Sequence, residues 1–356
     1  MLAGALKRTL ASLVKTWTLV WSAMLVVAMS FASAAQARVL RTESCNELTA
    51  NTPVTIWQDD SVQPKAVAIA IHGIVLHGGA YDAMARDLAK QGFLVMAPDM
   101  RGYGRWVSHH DKKRVRVNSP VDYDQSHSDI VTLVENARKK FPCLPVFAIG
   151  ESLGAEMALH IASEKPELID GLVLSAPSVK HKWFVADVIK AAPSVVGNPF
   201  GQIDLAPHIE KYFSNDDRVT EATVTDPLVR TSMTALELMR TGSEANKCLK
   251  YARTLSASVP VLIIQGGADK MVKTEFLTDL LTALPSADCQ LAWQEDAGHL
   301  LLETPYVLPE TMNVVSGWLD KHIVRSVPEA SITVVSSTKL STSNAQTIAQ
   351  GKPDTQ

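Results

Sequence analysis

The sequence has few of the features that mark zinc proteins or nucleic-acid-binding proteins. It contains only four cysteines in 356 residues, and no two of them have the spacing C-x-x-C, which argues against a bound zinc ion. It has no long run of Lys and Arg and a formal net charge of −3, so nucleic acid is not an expected partner. It also lacks internal repeats. With 46% hydrophobic and 20% charged residues, it has the composition of a globular protein with a sizeable core.

The first 37 residues have the pattern of an export signal. Lys7, Arg8 and Lys15 precede an uncharged apolar stretch, which ends in two A-x-A patterns at 32–34 and 35–37. This order is typical of a secretory signal peptide cleaved after residue 34 or 37. The stretch is also just long enough to span a bilayer, so an uncleaved anchor is the alternative. Both interpretations predict that the rest of the chain lies outside the cytoplasm, as a periplasmic, secreted or anchored domain, where disulfides are possible.

Short apolar runs alternate with amphipathic helical patterns through the body of the chain. This alternation predicts an α/β fold, with a mostly parallel central sheet flanked by helices. Residues 177–258 interrupt it with no clear buried strand, and we predict a helical cap insertion there, over the carboxyl edge of the sheet. The domain is expected to span 38–325. A segment rich in Ser, Thr, Ala and Gln follows at 326–356, and it predicts a disordered tail. Strands are predicted at 66–71, 93–97, 144–149, 172–174, 261–264 and 291–293.

A strand-turn-helix signature surrounds Ser152. The predicted strand 144–149 runs into Gly150-Glu151-Ser152-Leu153-Gly154, and a helical pattern follows. In such a G-x-S-x-G pattern a sharp turn lifts the hydroxyl clear of the backbone, and the flanking glycines avoid a collision with the turn. We therefore predict that Ser152 is a catalytic nucleophile.

A serine hydroxyl needs a base and the base needs an orienting carboxylate. His299 follows the last predicted strand, so it is expected at the same carboxyl edge of the sheet as the serine. Asp269 follows the strand 261–264 and is predicted to orient that imidazole and stabilise its protonated form. Glu295 and Asp296 are rival carboxylates, although they lie close to His299 in sequence.

A tetrahedral intermediate also needs hydrogen-bond donors for its oxyanion. Main-chain N–H groups supply them in such sites, and the predicted donors are Leu153, directly after the nucleophile, and Ile74, in the loop after the first long strand. His72 and His77 lie in the same loop. We interpret His72 as a structural residue that shapes the loop, and His77 is ambiguous.

Several segments resemble the α/β-hydrolases, in particular the branch of lysophospholipases, monoacylglycerol lipases and serine aminopeptidases. The matching segments are 71–73 and 97–104, together with the motifs that contain Ser152, Asp269 and His299, in the order Ser, Asp, His. The cap segments 214–219 and 226–229 are similar to part of the cap in the monoacylglycerol lipase and lysophospholipase branch. The resemblance covers about residues 50–325.

Three departures from the pattern of that branch stand out. Arg105-Trp106 replaces the small residue that usually follows the Asp-Arg-Gly-x-Gly run, a basic insertion follows at about 109–117, and Ala155 replaces a glycine after the serine motif. The first two are expected near the cap, so they bear on substrate identity more than on catalysis.

The resemblance implies a serine hydrolase that cleaves carboxylic esters of the acylglycerol or lysophospholipid type, with no metal or cofactor. Its expected partner is a small acyl ester, with contact between the cap and a membrane surface or lipid as a further expectation. An acyltransferase, an aminopeptidase or a non-catalytic binding protein on the same fold are the alternatives. Trp183, Phe184 and Ile189 of the cap are predicted to line an acyl-chain pocket, or else to pack the cap onto the sheet.

Overall fold

The computed structural model describes residues 38–109, 116–118, 120–179, 198 and 201–326. The predicted signal peptide or anchor at 1–37 and the predicted tail after residue 326 lie outside these residues. The same holds for Trp183, Phe184 and Ile189, the predicted acyl-pocket residues. Among the helices that the structure describes, none combines the length and the apolar character needed to cross a bilayer.

An eight-stranded sheet forms the centre of the protein, in the spatial order β1-β2-β4-β3-β7-β8-β11-β12. The pairs β1–β2 and β2–β4 are antiparallel, and all other neighbours in this sheet are parallel. The predicted α/β fold with a mostly parallel sheet is therefore confirmed. Numbered in chain order, the strands are β1 (Val39–Ser44), β2 (Val54–Asp59), β3 (Ala66–Ile71), β4 (Phe93–Pro98), β5 (Val107–His109), β6 (Arg116–Asn118), β7 (Val146–Glu151), β8 (Gly171–Ser175), β9 (Gln202–Asp204), β10 (Ser232–Thr234), β11 (Val261–Gly266) and β12 (Cys289–Gln294).

Helices cover both faces of this sheet. Strand β3 shows the consequence, because all of its six residues are buried and they alternate between two separate cores. Val67, Ile69 and Ile71 belong to the core under α2 and α3, whereas the alternate alanines belong to the core under α1 and α9. The described helices are α1 (Asp82–Lys90), α2 (Tyr123–Lys140), α3 (Leu153–Glu164), α4 (Ala206–Tyr212), α5 (Asp217–Thr225), α6 (Ala235–Ala245), α7 (Cys248–Thr254), α8 (Leu277–Ala283) and α9 (Pro309–Ser326).

The described part of the cap insertion consists of α4 to α7 and the short antiparallel pair β9–β10. Its main chain bonds to loops at the carboxyl ends of the sheet strands: the N–H of Arg230 donates to the O of Val75 (2.8 Å), and the O of Phe213 accepts the N–H of Leu300 (3.1 Å). The sequence predicted only helices and loops in this segment, so the pair β9–β10 was not expected. Each strand has three residues, and β9 is largely exposed, so no buried apolar run marks it.

All four cysteines lie in the described part of the chain and are free thiols. Cys45 and Cys143 are exposed, Cys289 is half-buried and Cys248 is buried. The disulfides that the predicted export would permit are therefore not formed.

Candidate active site

The turn between β7 and α3 holds Ser152 in a backbone conformation that residues other than glycine rarely adopt. Its φ is 53° and its ψ is −121°. The turn is tight enough that a Cβ at Gly150 would collide with the main chain of Gly154, and one at Gly154 with the main-chain O of Ile71. The N–H of Ser152 donates to the O of Ser175 at 2.9 Å. This is the strained strand-to-helix turn that a nucleophilic serine requires.

His299 and Asp269 form a buried pair. Nδ1 of His299 lies 2.9 Å from Oδ2 of Asp269, and their side chains are only 1% and 0% exposed. Oδ1 of Asp269 also accepts the N–H groups of Met271 (2.6 Å) and Val272 (2.9 Å), while Nε2 of Gln265 donates to Oδ2 (3.0 Å). These bonds fix the carboxylate, which favours a proton on Nδ1 of His299 and leaves Nε2 as the base.

The electrostatics of this pair suit proton transfer. Burial disfavours the imidazolium, but the charge and hydrogen bond of Asp269 outweigh it, so the pKa of His299 is raised above its usual value. For Asp269, burial favours the neutral acid, but His299 and the two main-chain N–H groups outweigh it, so its pKa is lowered. A charged carboxylate behind a more basic imidazole is the arrangement of a general base.

The two rival carboxylates face elsewhere. Oε2 of Glu295 accepts Nε1–H of Trp293 at 2.6 Å. Asp296 lines a surface pocket together with Ser214 and Asn215. Asp269 is therefore the carboxylate that orients His299.

Glu151 ties the serine turn to the loop that carries His299. Its two oxygens accept the main-chain N–H groups of residues 301–303 at 2.7 to 3.2 Å, and Ser175 Oγ donates to Oε1 at 2.7 Å. Because residue 301 is two positions after His299, these bonds hold the loop of the base against the neighbour of Ser152. The sequence analysis did not assign this role to Glu151, although a carboxylate inside a buried apolar strand is itself a signal.

Glu303 extends this connection to the loop of the predicted oxyanion donor. Its Oε1 and Oε2 accept the N–H of Gly73 at 3.0 and 2.9 Å. Burial and the nearby charge of Glu151 raise the pKa of Glu303 well above its usual range, which favours the protonated carboxyl. Burial also raises the pKa of Glu151, which its hydrogen-bond donors oppose. The bond between Glu303 and Gly73 was not predicted, because nothing in the local sequence around Glu303 indicates a partner 230 positions away.

The hydroxyl of Ser152 lies 3.2 Å from Oγ of Ser178, a buried residue that follows β8. Among the described residues, no hydrogen bond joins Ser152 to His299. The structure thus brings His299 and Asp269 into contact and links their loops to the serine turn, while the serine side chain faces Ser178. Hydrogen bonds between nucleophile and base are often loose before substrate binds. The catalytic roles of the three residues stay predictions.

Ile74 and Leu153, the predicted oxyanion donors, line one pocket with Ser152. Leu153 is the first residue of α3, and main-chain N–H groups at a helix N-terminus favour negative charge. Their roles as donors stay predictions as well. Helix α6 also lines this pocket, which was not predicted from the sequence. The other described lining residues are Ser178, Thr241, Gly242, Ala245 and Met271.

Two residues of the cap contact the loops that carry Asp269 and His299. The ring of Phe213 meets that of His299 edge-on, with 6.4 Å between centroids. Nδ2 of Asn215 donates to the O of Ala268 at 3.0 Å, directly before Asp269. Sequence analysis missed both roles, although Asn215 lies within the cap segment that carries the resemblance.

The other histidines of the first loop lie in structural hydrogen bonds. Nε2 of His72 accepts the N–H of Met100 at 2.9 Å, and Nδ1 lies 2.7 Å from the O of Gly73. Burial lowers the pKa of His72 to about 4, so it is neutral. Nε2 of His77 lies 3.0 Å from Oδ2 of Asp226, which joins this loop to the cap.

The Arg105-Trp106 departure has a structural explanation. Nε of Arg105 donates to Oδ2 of buried Asp99 at 2.7 Å, and Nε1 of Trp106 donates to the O of Asp99 at 2.8 Å. The guanidinium of Arg101 packs on the Trp106 ring at 3.9 Å. Both residues therefore hold the loop after β4.

The sheet order, the serine turn after β7 and the buried Asp–His pair after β11 and β12 define an α/β-hydrolase. The model of the family described as serine aminopeptidase, S33, matches residues 62–305, and the chain belongs to this family.

Similar proteins come from several organisms. The chain is 28% identical over 264 residues to a monoglyceride lipase of Homo sapiens, over 72% of this chain and 83% of that protein. It is 25% identical over 268 residues to a monoacylglycerol lipase of Mycolicibacterium smegmatis, over 75% and 92%. The crystal structure of a Paleococcus ferrophilus monoacylglycerol lipase has a TM-score of 0.60 at 20% identity, over 80% of this chain and 99% of that one, which supports the fold.

Proposed function

We propose that this protein hydrolyses carboxylic esters of acylglycerol-like lipids through an acyl-enzyme on Ser152. The observation that carries the proposal is the buried pair of His299 and Asp269, whose loop is bonded through Glu151 to the turn that holds Ser152. The names of the relatives, monoglyceride lipase and monoacylglycerol lipase, support the acylglycerol class. A lysophospholipid is the second substrate class to test.

In the proposed reaction, Oγ of Ser152 turns from Ser178 towards Nε2 of His299, which takes its proton as Oγ attacks the ester carbonyl. Asp269 stabilises the imidazolium. The N–H groups of Ile74 and Leu153 bind the oxyanion, a type of donor whose loss typically costs about 10²–10³ in kcat. His299 then gives its proton to the leaving alcohol. Water enters, loses a proton to His299 and attacks the acyl-enzyme. His299 then returns this proton to Oγ of Ser152 as the ester bond breaks and the fatty acid leaves.

Export and lipid contact belong to the proposal. The pattern at 1–37 supports a signal peptide or an anchor, with the catalytic domain outside the cytoplasm. Trp183, Phe184 and Ile189 are the proposed cap residues for the acyl chain, and the cap is the proposed surface for lipid contact. The substrate is a small acyl ester.

The test compares wild type with Ser152→Ala on p-nitrophenyl esters, monoacylglycerols and lysophospholipids of several chain lengths. The variant is expected to lose turnover and labelling by a fluorophosphonate probe while its thermal unfolding stays unchanged. Ser128→Ala, at an exposed position of α2, is the matched control and keeps both activities. Turnover retained in Ser152→Ala would remove Ser152 from its role.

The same assay separates the alternatives on this fold. Acyl transfer to added alcohols in preference to water would indicate an acyltransferase, and release of amino-terminal residues from peptides an aminopeptidase. A wild-type protein that neither turns over esters nor reacts with the probe would be a binding protein.

A further inference from the structure

Two helices behind the serine turn place three metal-binding side chains together. His160 and Glu164 are four residues apart on α3 and share one face, while His127 faces them from α2. Nε2 of His127 lies 3.4 Å from Oε2 of Glu164, and Nε2 of His160 lies 3.2 Å from Oε1. One ligand atom from each residue fits within 4.8 Å of the others. The cysteine spacing argues against zinc, but these histidine and glutamate side chains supply a different ligand set. We propose that His127, His160 and Glu164 form a Zn²⁺ site that joins α2 to α3.

The separation between each histidine and Glu164, 3.4 and 3.2 Å to different carboxylate oxygens, is close to that in a zinc site. Zinc binds imidazole nitrogen and carboxylate oxygen at about 2.0–2.2 Å in a tetrahedron, which places neighbouring ligand atoms roughly 3.3 Å apart. Two imidazoles and one carboxylate leave the fourth position to water. Magnesium and calcium are disfavoured because they select oxygen ligands. The side chain of Glu164 is 54% exposed and those of both histidines are 14% exposed, so an ion can enter from solvent.

The histidine on α2 is ready to bind. Among the described residues, Nε2 of His127 is buried without a hydrogen-bond partner. In the tautomer with its proton on Nδ1, this nitrogen offers its lone pair to a metal.

The ring of His160 is packed between two other rings, so binding of both histidines to one ion requires one imidazole to rotate. The His160 ring stacks on Tyr251, with 4.0 Å between centroids and 12° between planes, and meets His127 on the other side at 4.0 Å. Nδ1 of His160 lies 3.9 Å from Oε1 of Glu244, which also accepts the hydroxyl of Tyr251 (3.0 Å). A carboxylate behind Nδ1 favours a proton there, which leaves Nε2 of His160 for the ion. A small shift of the ring would complete that hydrogen bond.

The site is structural rather than catalytic. His160 lies eight residues after Ser152, about 12 Å along the helix axis at 1.5 Å per residue. Zinc bound here would restrain the helix that carries the serine turn without touching the substrate. The site therefore predicts greater stability with metal and unchanged esterase turnover, and it does not depend on the proposed function.

The test uses tag-free protein that has been treated with chelator, and titrates it calorimetrically with ZnCl₂. We expect one equivalent to bind and Tm to rise. His127→Asn, His160→Asn and Glu164→Gln should each weaken binding at least about tenfold, since even residues behind metal ligands have effects of that size. His208→Asn, on α4, is the matched control and should bind as wild type does.

Co²⁺ gives a second measurement, because it reports coordination by its absorption even where a variant is less stable. A tetrahedral spectrum in wild type that is lost in His160→Asn supports the site. Absence of stoichiometric Zn²⁺ binding by wild type would overturn the proposal, as would equal binding by the three variants. In that case the cluster is only a packing and electrostatic contact between the two helices.

Discussion

The main-chain N–H of Glu303 donates a 2.7 Å hydrogen bond to Oε2 of Glu151, while the side chain of Glu303 accepts the N–H of Gly73. Two buried carboxyl groups thus connect three loops that are distant in sequence: the serine turn, the loop after His299 and the loop of Ile74. Buried hydrogen bonds are strong, and a buried donor that loses its acceptor is costly. The relative positions of the three loops should therefore depend on both Glu151 and Glu303.

Glu151→Gln should disturb this connection strongly. Both oxygens of Glu151 accept main-chain N–H groups, so an amide places its NH₂ against a donor in either orientation. A buried donor without an acceptor costs about 1–3 kcal/mol. We expect a lower urea midpoint and a lower kcat/KM. Glu303→Gln is the matched control, because its amide oxygen can still accept from Gly73, and it should be the milder of the two. A larger loss of stability and kcat/KM in Glu303→Gln than in Glu151→Gln would contradict the role given to Glu151.

Glu303 should also make stability depend on pH. Its pKa is raised in the folded protein, so its contribution is fully present below the pKa of the unfolded chain and is lost as pH rises towards the folded value. Glu303→Gln cannot titrate there. The stability of wild type relative to this variant should therefore fall as pH rises above the ordinary glutamate pKa of about 4.3, as measured by urea unfolding. A difference that does not change with pH there would argue against a raised pKa of Glu303.

Asp269→Asn should reduce kcat/KM by roughly 10³–10⁴-fold if the pair acts as proposed. The base must be unprotonated, so activity is lost as pH falls through the pKa of His299, which Asp269 raises. Without that charge, the acid limb of the profile should move to lower pH. Glu295→Gln and Asp296→Asn serve as controls and should leave both the plateau and the limb in place. If the pH profile of kcat/KM moves in either control and does not move in Asp269→Asn, then Glu295 or Asp296, and not Asp269, orients His299.

Ser178→Ala removes the hydrogen bond that Ser152 makes in this structure. If that bond only holds the resting hydroxyl, kcat/KM should change by less than about tenfold, the equivalent of roughly 1.4 kcal/mol. The measurement compares the steady-state kcat/KM of Ser178→Ala with those of wild type and Ser152→Ala. A loss as large as that of Ser152→Ala would place Ser178 in the chemistry itself.

The sequence predicted those parts of the fold that depend on local pattern. All six predicted strands coincide with strands of the sheet, although β7 starts at Val146 rather than residue 144, where Pro145 cannot donate to a ladder. Strands β1 and β2 were missed. The first is an exposed edge with Arg41 and Glu43 and has no apolar run, and the second mixes apolar and polar residues. The pairing of β1 with β2 depends on contacts along the sheet that no local pattern records.

The same limit applies to the site. The turn at Ser152 and the loops of Asp269 and His299 have local signatures, so their placement at one edge of the sheet could be predicted. The connection from Glu151 through Glu303 to Gly73 could not, because it joins residues 230 positions apart. These hydrogen bonds stabilise the site because they are buried, and burial is defined only by the folded structure.

Gly242→Leu should shorten the acyl chain that the enzyme accepts. Gly242 lines the pocket of Ser152 from α6, and a Cβ there has no heavy atom of the described residues within 4 Å. A side chain can thus begin at this position without a clash at its Cβ, and replacing a helical glycine favours the helix by up to about 1 kcal/mol. The ratio of kcat/KM for long to short p-nitrophenyl esters should fall while Tm is maintained. Gly317→Leu in α9 is the matched control, since its surroundings are equally open and lie outside the pocket lining. An unchanged ratio in Gly242→Leu would mean that the acyl chain takes another path from Ser152.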